Sequence, residues 1–192
     1  MSYPLCQPSG MVPPTRTALE AADPPELAAA ISRLQAGDYQ RAYAEALPFV
    51  SANNNRLYCD ANRLCAIACS ESRQWTKAAA YWQALFAGEA TAHNALQVAT
   101  STVMADMVEQ GLAWAERARA LTALSHEMPE AAILTKVLSA LTTAGHLEAA
   151  FPLLEVLGKH AGREWYTSML PHLDERGRTE LMAWLDGECA PA

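Results

Sequence analysis

Cysteine and histidine are the residue types in this sequence that could most directly support chemistry. The five cysteines are odd in number and include no C-x-x-C pair, so the sequence predicts neither a disulfide framework nor a zinc ribbon. Cys65 and Cys69 lie four residues apart, and a helix would place both thiols on one face, where they could share a metal ion. Small cysteines also suit a close contact between helices. We therefore favour reduced, structural thiols and keep a metal-binding regulator as the alternative.

The five histidines do not stand in a spacing typical of metal or nucleophile chemistry. His126-Glu127 begins like a zinc-protease helix, but the second histidine of that motif is absent and Pro129 would break the helix. The sequence also lacks a phosphate-binding P-loop, a dinucleotide-binding glycine motif and a G-x-S-x-G nucleophile elbow. We therefore expect no enzyme, no cofactor and no metal site. A catalytic constellation assembled from distant helices remains the alternative.

Charge and hydrophobicity narrow the classes of partner. The net charge of −7 argues against a general nucleic-acid binder, which normally carries a basic surface. No apolar run approaches the length that spans a membrane, and the first residues lack the pattern of a secretory signal. We therefore expect a cytoplasmic protein that binds neither nucleic acid nor membrane.

Four segments share an apolar pattern at a spacing of 36 residues. In each segment the pattern occupies positions i, i+3, i+7 and i+10, which form one stripe on an α-helix. The four stripes are Tyr39, Ala42, Ala46 and Phe49; Trp75, Ala78, Trp82 and Leu85; Gly111, Trp114, Ala118 and Leu121; and Leu147, Ala150, Leu154 and Leu157. A period of this length with two helices per unit is typical of an α-solenoid, whose units bury their apolar faces by stacking.

The predicted domain organisation has three parts. Residues 1–22 form a proline-rich arm that we expect to be extended or disordered, with a docking arm as the alternative. Residues 23–160 form four antiparallel helix pairs, and residues 161–192 form capping helices and a short tail. The paired helices are predicted at residues 24–36, 38–51, 56–72, 75–88, 91–109, 111–126, 130–143 and 147–160. With two more helices in 163–187, the all-α fold has about ten helices.

Prolines and inward-facing residues refine this prediction. Pro48 should bend or shorten the last turn of its helix, and Pro152 should either kink the eighth helix or delay its start. The C-terminal helices are expected to break near Pro171. Their inward-facing residues are predicted to be Trp165, Leu170, Leu181, Trp184 and Leu185.

Three short motifs resemble the tetratricopeptide repeat and its Sel1-like variant. They are Gly37-Asp38-Tyr39-x-x-Ala42, Ala144-Gly145-x-Leu147-x-x-Ala150 and, for the Sel1-like form, Lys77-Ala78-x-x-Tyr81-Trp82. The resemblance covers about residues 24–160. The spacing departs from the 34 residues of the commonest form, and Gln110-Gly111 is shifted by two positions from the pattern in the third unit.

The resemblance implies a protein that binds other proteins along a groove lined by the first helix of each pair. Carried over by position, the groove residues are Asp60, Arg63, Ser70, Asp106, Met107, Thr135, Ser139 and Thr142. The alternative is that these polar residues form only the solvent-facing side of amphipathic helices.

An acidic stretch and two aromatic residues extend this candidate surface. Residues 78–116 contain no lysine or arginine, and their acids are Glu89, Asp106, Glu109 and Glu116. We expect this stretch to steer a basic partner. Tyr81 and Phe86 lie off the apolar stripe, so we expect them to be exposed aromatic contacts. For Trp75, Trp82 and Trp114 core packing is favoured over the wall of a ligand pocket.

Small cytoplasmic bacterial proteins with this resemblance often escort or neutralise one dedicated protein. The expected function is therefore that of an immunity protein for a toxin or a chaperone for a secreted effector. An adaptor in a larger assembly and a small-ligand or metal-binding regulator remain alternatives. The sequence leaves the oligomeric state open.

Overall fold

The computed structural model of the chain describes residues 24–158 and 175–188, together with residues 167 and 170. Within these residues the backbone forms helices and turns, which confirms the all-α prediction for this part of the chain. The nine α-helices with described bounds are α1 (Ala28–Gln35), α2 (Tyr39–Ala46), α3 (Asn55–Glu71), α4 (Trp75–Gly88), α5 (Ala92–Met104), α6 (Val108–Ser125), α7 (Glu130–Ala144), α8 (Leu147–Gly158) and α9 (Glu175–Glu188). None of the helices in these ranges is both long and apolar enough to cross a membrane.

Consecutive helices pack against each other as four pairs, α1 with α2, α3 with α4, α5 with α6 and α7 with α8. Neighbouring pairs are joined by the contacts of α2 with α3, α4 with α5 and α6 with α7. In addition, α5 packs against α7, so the first helices of the third and fourth pairs are direct neighbours. The predicted proline-rich arm, residues 1–22, lies outside the described residues, as does most of the segment between α8 and α9.

The first pair follows the sequence prediction closely. Gly37 adopts a left-handed conformation with φ of +76°, which reverses the chain after α1. Asp38 then caps α2, because its side chain accepts the backbone N–H of Arg41. Pro48 lies in a short 3₁₀ turn, Leu47–Phe49, and α2 ends before it at Ala46. The predicted shortening of this helix by proline is confirmed.

The third pair departs from the prediction. The helices predicted at 91–109 and 111–126 are observed as Ala92–Met104 and Val108–Ser125, so the turn comes earlier. Asp106 occupies that turn with φ of +63°. Aspartate tolerates this left-handed conformation better than most side chains because its short polar group can bond locally. The prediction that the chain turns at Gln110, with Gly111 as the first residue of the next helix, is wrong.

Gly111 instead lies inside α6, on its buried side. A Cβ atom built there would lie 2.5 Å from Cγ2 of Val103 and 3.0 Å from the carbonyl oxygen of Ala99, both on α5. Of the predicted stripe, Gly111 and Ala118 are buried, and Trp114 and Leu121 are half-buried and pack against the apolar core. The buried residues of α6 are Gly111, Ala115, Ala118 and Thr122.

Small residues recur at one position in the second helix of every pair. Counted from the start of each of these helices, the fourth residue is Ala42, Ala78, Gly111 and Ala150, and all four are buried. A small side chain there lets the two axes of a pair approach closely. The turns that precede these helices contain Gly37, Arg73, Asp106 and Gly145, each with a positive φ. Their spacings of 36, 33 and 39 residues show that the period is not constant.

Arg73 is the least suited of the four turn residues to its backbone conformation. Its φ of +57° is a left-handed conformation, in which the Cβ atom lies too close to the following carbonyl oxygen. This conformation costs a non-glycine residue about 1–2 kcal/mol. We expect Arg73→Gly to raise the free energy of unfolding by about 0.5–1 kcal/mol, part of the gain being offset by the greater flexibility of glycine. Urea denaturation followed by circular dichroism measures this change. Gly145→Arg, at the equivalent turn with φ of +84°, is the control and should destabilise; a loss of stability in Arg73→Gly would contradict the interpretation.

The apolar core runs through the helix pairs in three clusters. One lies under α1, α2 and the first half of α3, a second joins α3, α4 and Val98 of α5, and the largest extends from Phe86 of α4 to Leu181 of α9. Leu181 is buried and Leu170 packs partly buried against the same cluster, so both face inward as predicted. Trp165 and the side chains of Trp184 and Leu185 lie outside the described residues.

Pro152 does not delay the eighth helix. Helix α8 begins at Leu147 and contains the proline in its second turn. As the sixth residue of α8, Pro152 lies beyond the first four N–H groups that a helix start leaves unpaired, so it removes the hydrogen bond that this position would otherwise donate to the carbonyl of Glu148. The alternative of a later start is wrong.

Candidate partner-binding surface

The first helices of the second, third and fourth pairs each leave one side uncovered. On α3 the predicted residues Asp60, Arg63 and Ser70 are half-buried, at spacings of three and seven residues. On α7 Ser139 is exposed, and Thr135 and Thr142 are half-buried. The structure thus places these six predicted residues on the uncovered sides of first helices.

Helix α5 contributes residues that the sequence interpretation missed. Its uncovered side carries His93, which is exposed, and Gln97 and Thr100, which are half-buried. Because α5 and α7 pack together, we define the first-helix face by six residues of these two helices. They are His93, Gln97, Thr100, Thr135, Ser139 and Thr142. The helical spacing of the three α5 residues, i, i+4 and i+7, was the available signal.

Asp106, Met107 and Glu109 lie elsewhere. Asp106 is in the turn between α5 and α6 with an 82% exposed side chain, and Met107 is the N-cap residue of α6. Glu109 is exposed in the first turn of α6. The assignment of Asp106 and Met107 to a groove-lining helix is wrong, because α5 ends at Met104.

The threonine hydroxyls of the first-helix face donate hydrogen bonds within their own helices. Thr100, Thr135 and Thr142 each donate to a backbone carbonyl oxygen one turn earlier, over distances between 2.7 and 3.1 Å. A hydroxyl that donates in this way still has an oxygen lone pair to offer. These three threonines therefore present a methyl group and an acceptor oxygen to whatever covers them, and Gln97 and Ser139 add hydrogen-bond donors.

Arg63, one of the predicted groove residues, forms ion pairs within the chain. Its guanidinium lies 2.5 Å from Oδ1 of Asp60 and 2.7 Å from Oε2 of Glu89. Glu89 follows α4 directly, so this ion pair ties the uncovered side of α3 to the turn between α4 and α5. An arginine held by two carboxylates is positioned by the fold and has little charge left for a partner.

Three acids of the acidic stretch have contact partners within the chain. Glu89 pairs with Arg63, Glu116 pairs with Arg119 at 2.6 Å, and the carboxylate of Asp106 lies 3.1 Å from Nε2 of His146. These contacts reduce the field that a basic partner would experience. Arg63 and Arg119 each contact two carboxylates, so neither arginine balances both of its acids, and the exposed Glu109 adds a further negative charge.

Neither predicted aromatic contact is freely exposed. Phe86 is only 6% exposed, and its ring packs edge-on against Trp114 with the centroids 5.0 Å apart. The guanidinium of Arg117 lies 4.5 Å from the Phe86 centroid. The prediction that Phe86 is exposed is wrong because α4 packs against both α3 and α5, which covers residues off its main apolar stripe.

Tyr81 is half-buried and held by a second tyrosine. Its hydroxyl lies 2.8 Å from the hydroxyl of Tyr43, and the two rings meet edge to face. Burial raises the pKa of the Tyr81 phenol above its usual range, and the hydrogen bond to Tyr43 raises it further. Trp82 is buried, as the core-packing interpretation predicted.

The described thiols are buried and free. Burial raises the pKa of Cys59 to about 11 and that of Cys65 to about 12, and it also raises the pKa of Cys69. A thiol must ionise before it acts as a nucleophile or binds a metal. These three cysteines therefore remain protonated near neutral pH, which fits the structural role favoured from the sequence. Among the described residues, no group of three or more histidine, cysteine or acidic side chains is arranged to hold a metal ion.

A carboxylate from a neighbouring loop fixes the start of α5. Glu127, between α6 and α7, accepts the backbone N–H groups of Ala92 at 2.8 Å and His93 at 3.0 Å. The side chain of Thr91 accepts the N–H of Asn94 in the same turn. Three N–H groups that a helix start leaves unpaired are thus satisfied. This arrangement holds the His93 end of the first-helix face against the loop that leads into α7.

The geometry thus provides two adjacent, rigidly joined helices with an uncovered side, and its described cysteines are not activated for catalysis. In comparisons with protein-family models, curated proteins and solved structures, no match to this chain was found.

Proposed function

We propose that this protein is a non-enzymatic protein-binding module that holds one dedicated protein partner on its first-helix face. In this proposal the four helix pairs form a short tetratricopeptide-like solenoid in the cytoplasm, and the partner is a toxin or a secreted effector. The protein then acts as an immunity protein or as a secretion chaperone.

One observation carries the proposal. Helices α5 and α7 pack directly against each other, and each leaves a row of small or neutral polar side chains uncovered. Glu127 ties the start of α5 to the loop before α7, so the two rows are held in a fixed relation before any partner arrives. Binding to a preorganised surface loses less conformational entropy, which favours tight and slowly dissociating complexes.

The protein would act by binding its partner one to one and covering part of the partner's surface. The threonine hydroxyls of the face already donate within their helices, so their oxygens are free to accept hydrogen bonds from donors of the partner. Such a surface suits arginine, lysine or backbone N–H groups and shields them from other contacts. No chemical turnover is required.

The experiment is a quantitative pull-down from the native host with tagged wild type and two double variants. Gln97→Arg/Ser139→Arg places two long cations on the first-helix face, and Ala113→Arg/Ala120→Arg places the same charges on exposed positions of α6. One protein should co-purify in stoichiometric amount with the wild type and with the α6 control. The first-helix variant should lose it, because two buried like charges or clashes at an interface centre cost several kcal/mol in total.

Two results would contradict the proposal. One is the recovery of many substoichiometric proteins, which would indicate an adaptor. The other is a single partner that both variants retain, which would place the binding site away from α5 and α7.

A further inference from the structure

A pocket of about 290 Å³ lies where the first helix pair meets the second. Tyr39 and Tyr43 of α2 form one wall, Cys69 of α3 forms another, and Gln74 and Lys77 stand at the start of α4. Its volume lies just below the range of roughly 300–1,000 Å³ that small-molecule sites occupy. The space suits a single substituted aromatic ring.

Lys77 gives this pocket a positive field within an acidic protein. It is the one formally charged residue among those that line the pocket, although the chain carries a net charge of −7. Its ammonium lies 5.8 Å from the ring centroid of Tyr43, and no carboxylate in the described ranges forms an ion pair with it. A cleft lined by charge of one sign, with apolar walls, concentrates the field and attracts an ion of the opposite sign.

Two carbonyl groups at the C-terminal end of α3, which could oppose the positive field of Lys77, are hydrogen-bonded within the turn. The carbonyl oxygens of Cys69 and Ser70 accept the N–H groups of Gln74 and Arg73, at 2.8 and 2.9 Å. Free carbonyls at a helix C-terminus would repel an anion. Here these two are already paired within the turn.

Tyr39, Tyr43, Ala68 and Cys69 give the pocket an aromatic and apolar part, and Gln40, Ser72 and Gln74 give it a polar part. The hydroxyl of Tyr43 is hydrogen-bonded to that of Tyr81, which fixes the ring that borders the pocket. Burial raises the pKa of the Cys69 thiol even though Lys77 acts in the opposite direction, so the thiol contributes a neutral, polarisable contact. Aromatic rings pack well on such surfaces.

We propose that this pocket binds a small aromatic carboxylate, with its carboxylate on the Lys77 ammonium and its ring against Tyr43 and Cys69. The inference is independent of the proposed partner-binding function, because the pocket uses α2, the end of α3 and the start of α4. A ligand there bridges the first and second helix pairs and stabilises their packing.

The test is an amide NMR titration of the full chain, uniformly labelled with ¹⁵N, with benzoate and with 3-phenylpropionate. Saturable shifts are expected at the amides of Cys69, Gln74 and Lys77. Lys77→Met should weaken binding at least about tenfold, which corresponds to one lost ion-pair contact of about 1.4 kcal/mol. The matched control Lys136→Met removes an exposed lysine of α7 and should leave the affinity unchanged.

The same spectra show whether each variant is folded. The proposal is overturned by an absence of saturable shifts, or by shifts confined to other helices. It is also overturned if folded Lys77→Met binds as tightly as the wild type, or if the uncharged 3-phenylpropionamide binds as tightly as the acid.

Discussion

Replacing Gly111 with alanine is expected to lower the free energy of unfolding by about 3 kcal/mol, since overpacking a close helix contact typically costs about 1–3 kcal/mol and more where backbone is involved. The new Cβ atom would lie 2.5 Å from a methyl of Val103 and 3.0 Å from the carbonyl oxygen of Ala99. The Val103 side chain has some room to move, but the carbonyl belongs to the backbone of α5. The two helices must therefore separate.

The direction of this effect opposes helix propensity, which makes the test sharp. In an exposed helix position alanine is more favourable than glycine by about 1 kcal/mol. Ala113→Gly, at an exposed position of α6, is the control and should destabilise by about that amount. Adding Val103→Ala to Gly111→Ala should recover only part of the loss. Urea denaturation measures all four chains, and a stabilised Gly111→Ala protein would contradict the close α5–α6 contact.

Replacing Glu127 with alanine is expected to destabilise the protein by about 2 kcal/mol, at the upper end of the range for the loss of a helix N-cap. The carboxylate accepts two backbone N–H groups at the start of α5, and such charge-assisted bonds are about twice as strong as neutral ones. Without it, both N–H groups lose their partner. The loop before α7 is also released from α5.

A glutamine at the same position separates charge from geometry. Glu127→Gln keeps one acceptor oxygen and should lose about half as much stability as Glu127→Ala. Glu109→Ala is the control, because Glu109 is an exposed acid in the first turn of α6 and should contribute about 0.3–1 kcal/mol through the helix dipole alone. Equal losses in thermal or urea unfolding for Glu127→Ala and Glu109→Ala would contradict the capping role.

The sequence predicted those parts of the fold that depend on local signals. Gly37, Asp38 and Pro48 each act within a few residues of their own position, through a left-handed turn, a side-chain cap and a missing N–H. The first, second and fourth pairs accordingly begin close to where the sequence placed them.

The turn between the two helices of the third pair was predicted too late in the chain, next to a glycine, and glycine has two structural uses. A glycine near a helix boundary can supply a positive φ, or it can allow two backbones to approach. The sequence placed the turn at Gln110, directly before Gly111, whereas the structure assigns the positive φ to Asp106 and the close approach to Gly111. Only the position of α5 distinguishes the two.

The candidate surface was harder to predict because exposure and charge depend on distant residues. Phe86 is covered by Trp114, 28 positions later, and Glu89 is paired with Arg63, 26 positions earlier. The periodicity of apolar residues along a helix predicts its main buried face. It does not predict the second buried face of a helix that packs on two sides. His93, Gln97 and Thr100 lie inside both the predicted helix 91–109 and the observed α5, so the misplaced end of α5 does not account for their omission.

Site-specific photo-crosslinking in the native host tests most directly whether one dedicated partner binds across α5 and α7. The photoreactive amino acid p-benzoylphenylalanine is introduced at Gln97 or Ser139 on the first-helix face, and at Ala113 or Ala120 on α6. If one dedicated partner lies across α5 and α7, one crosslinked protein is expected, the same at positions 97 and 139, and none at positions 113 and 120. Crosslinks only from the α6 positions, or the same mixture of proteins from all four, would contradict the claim that one dedicated partner lies across α5 and α7.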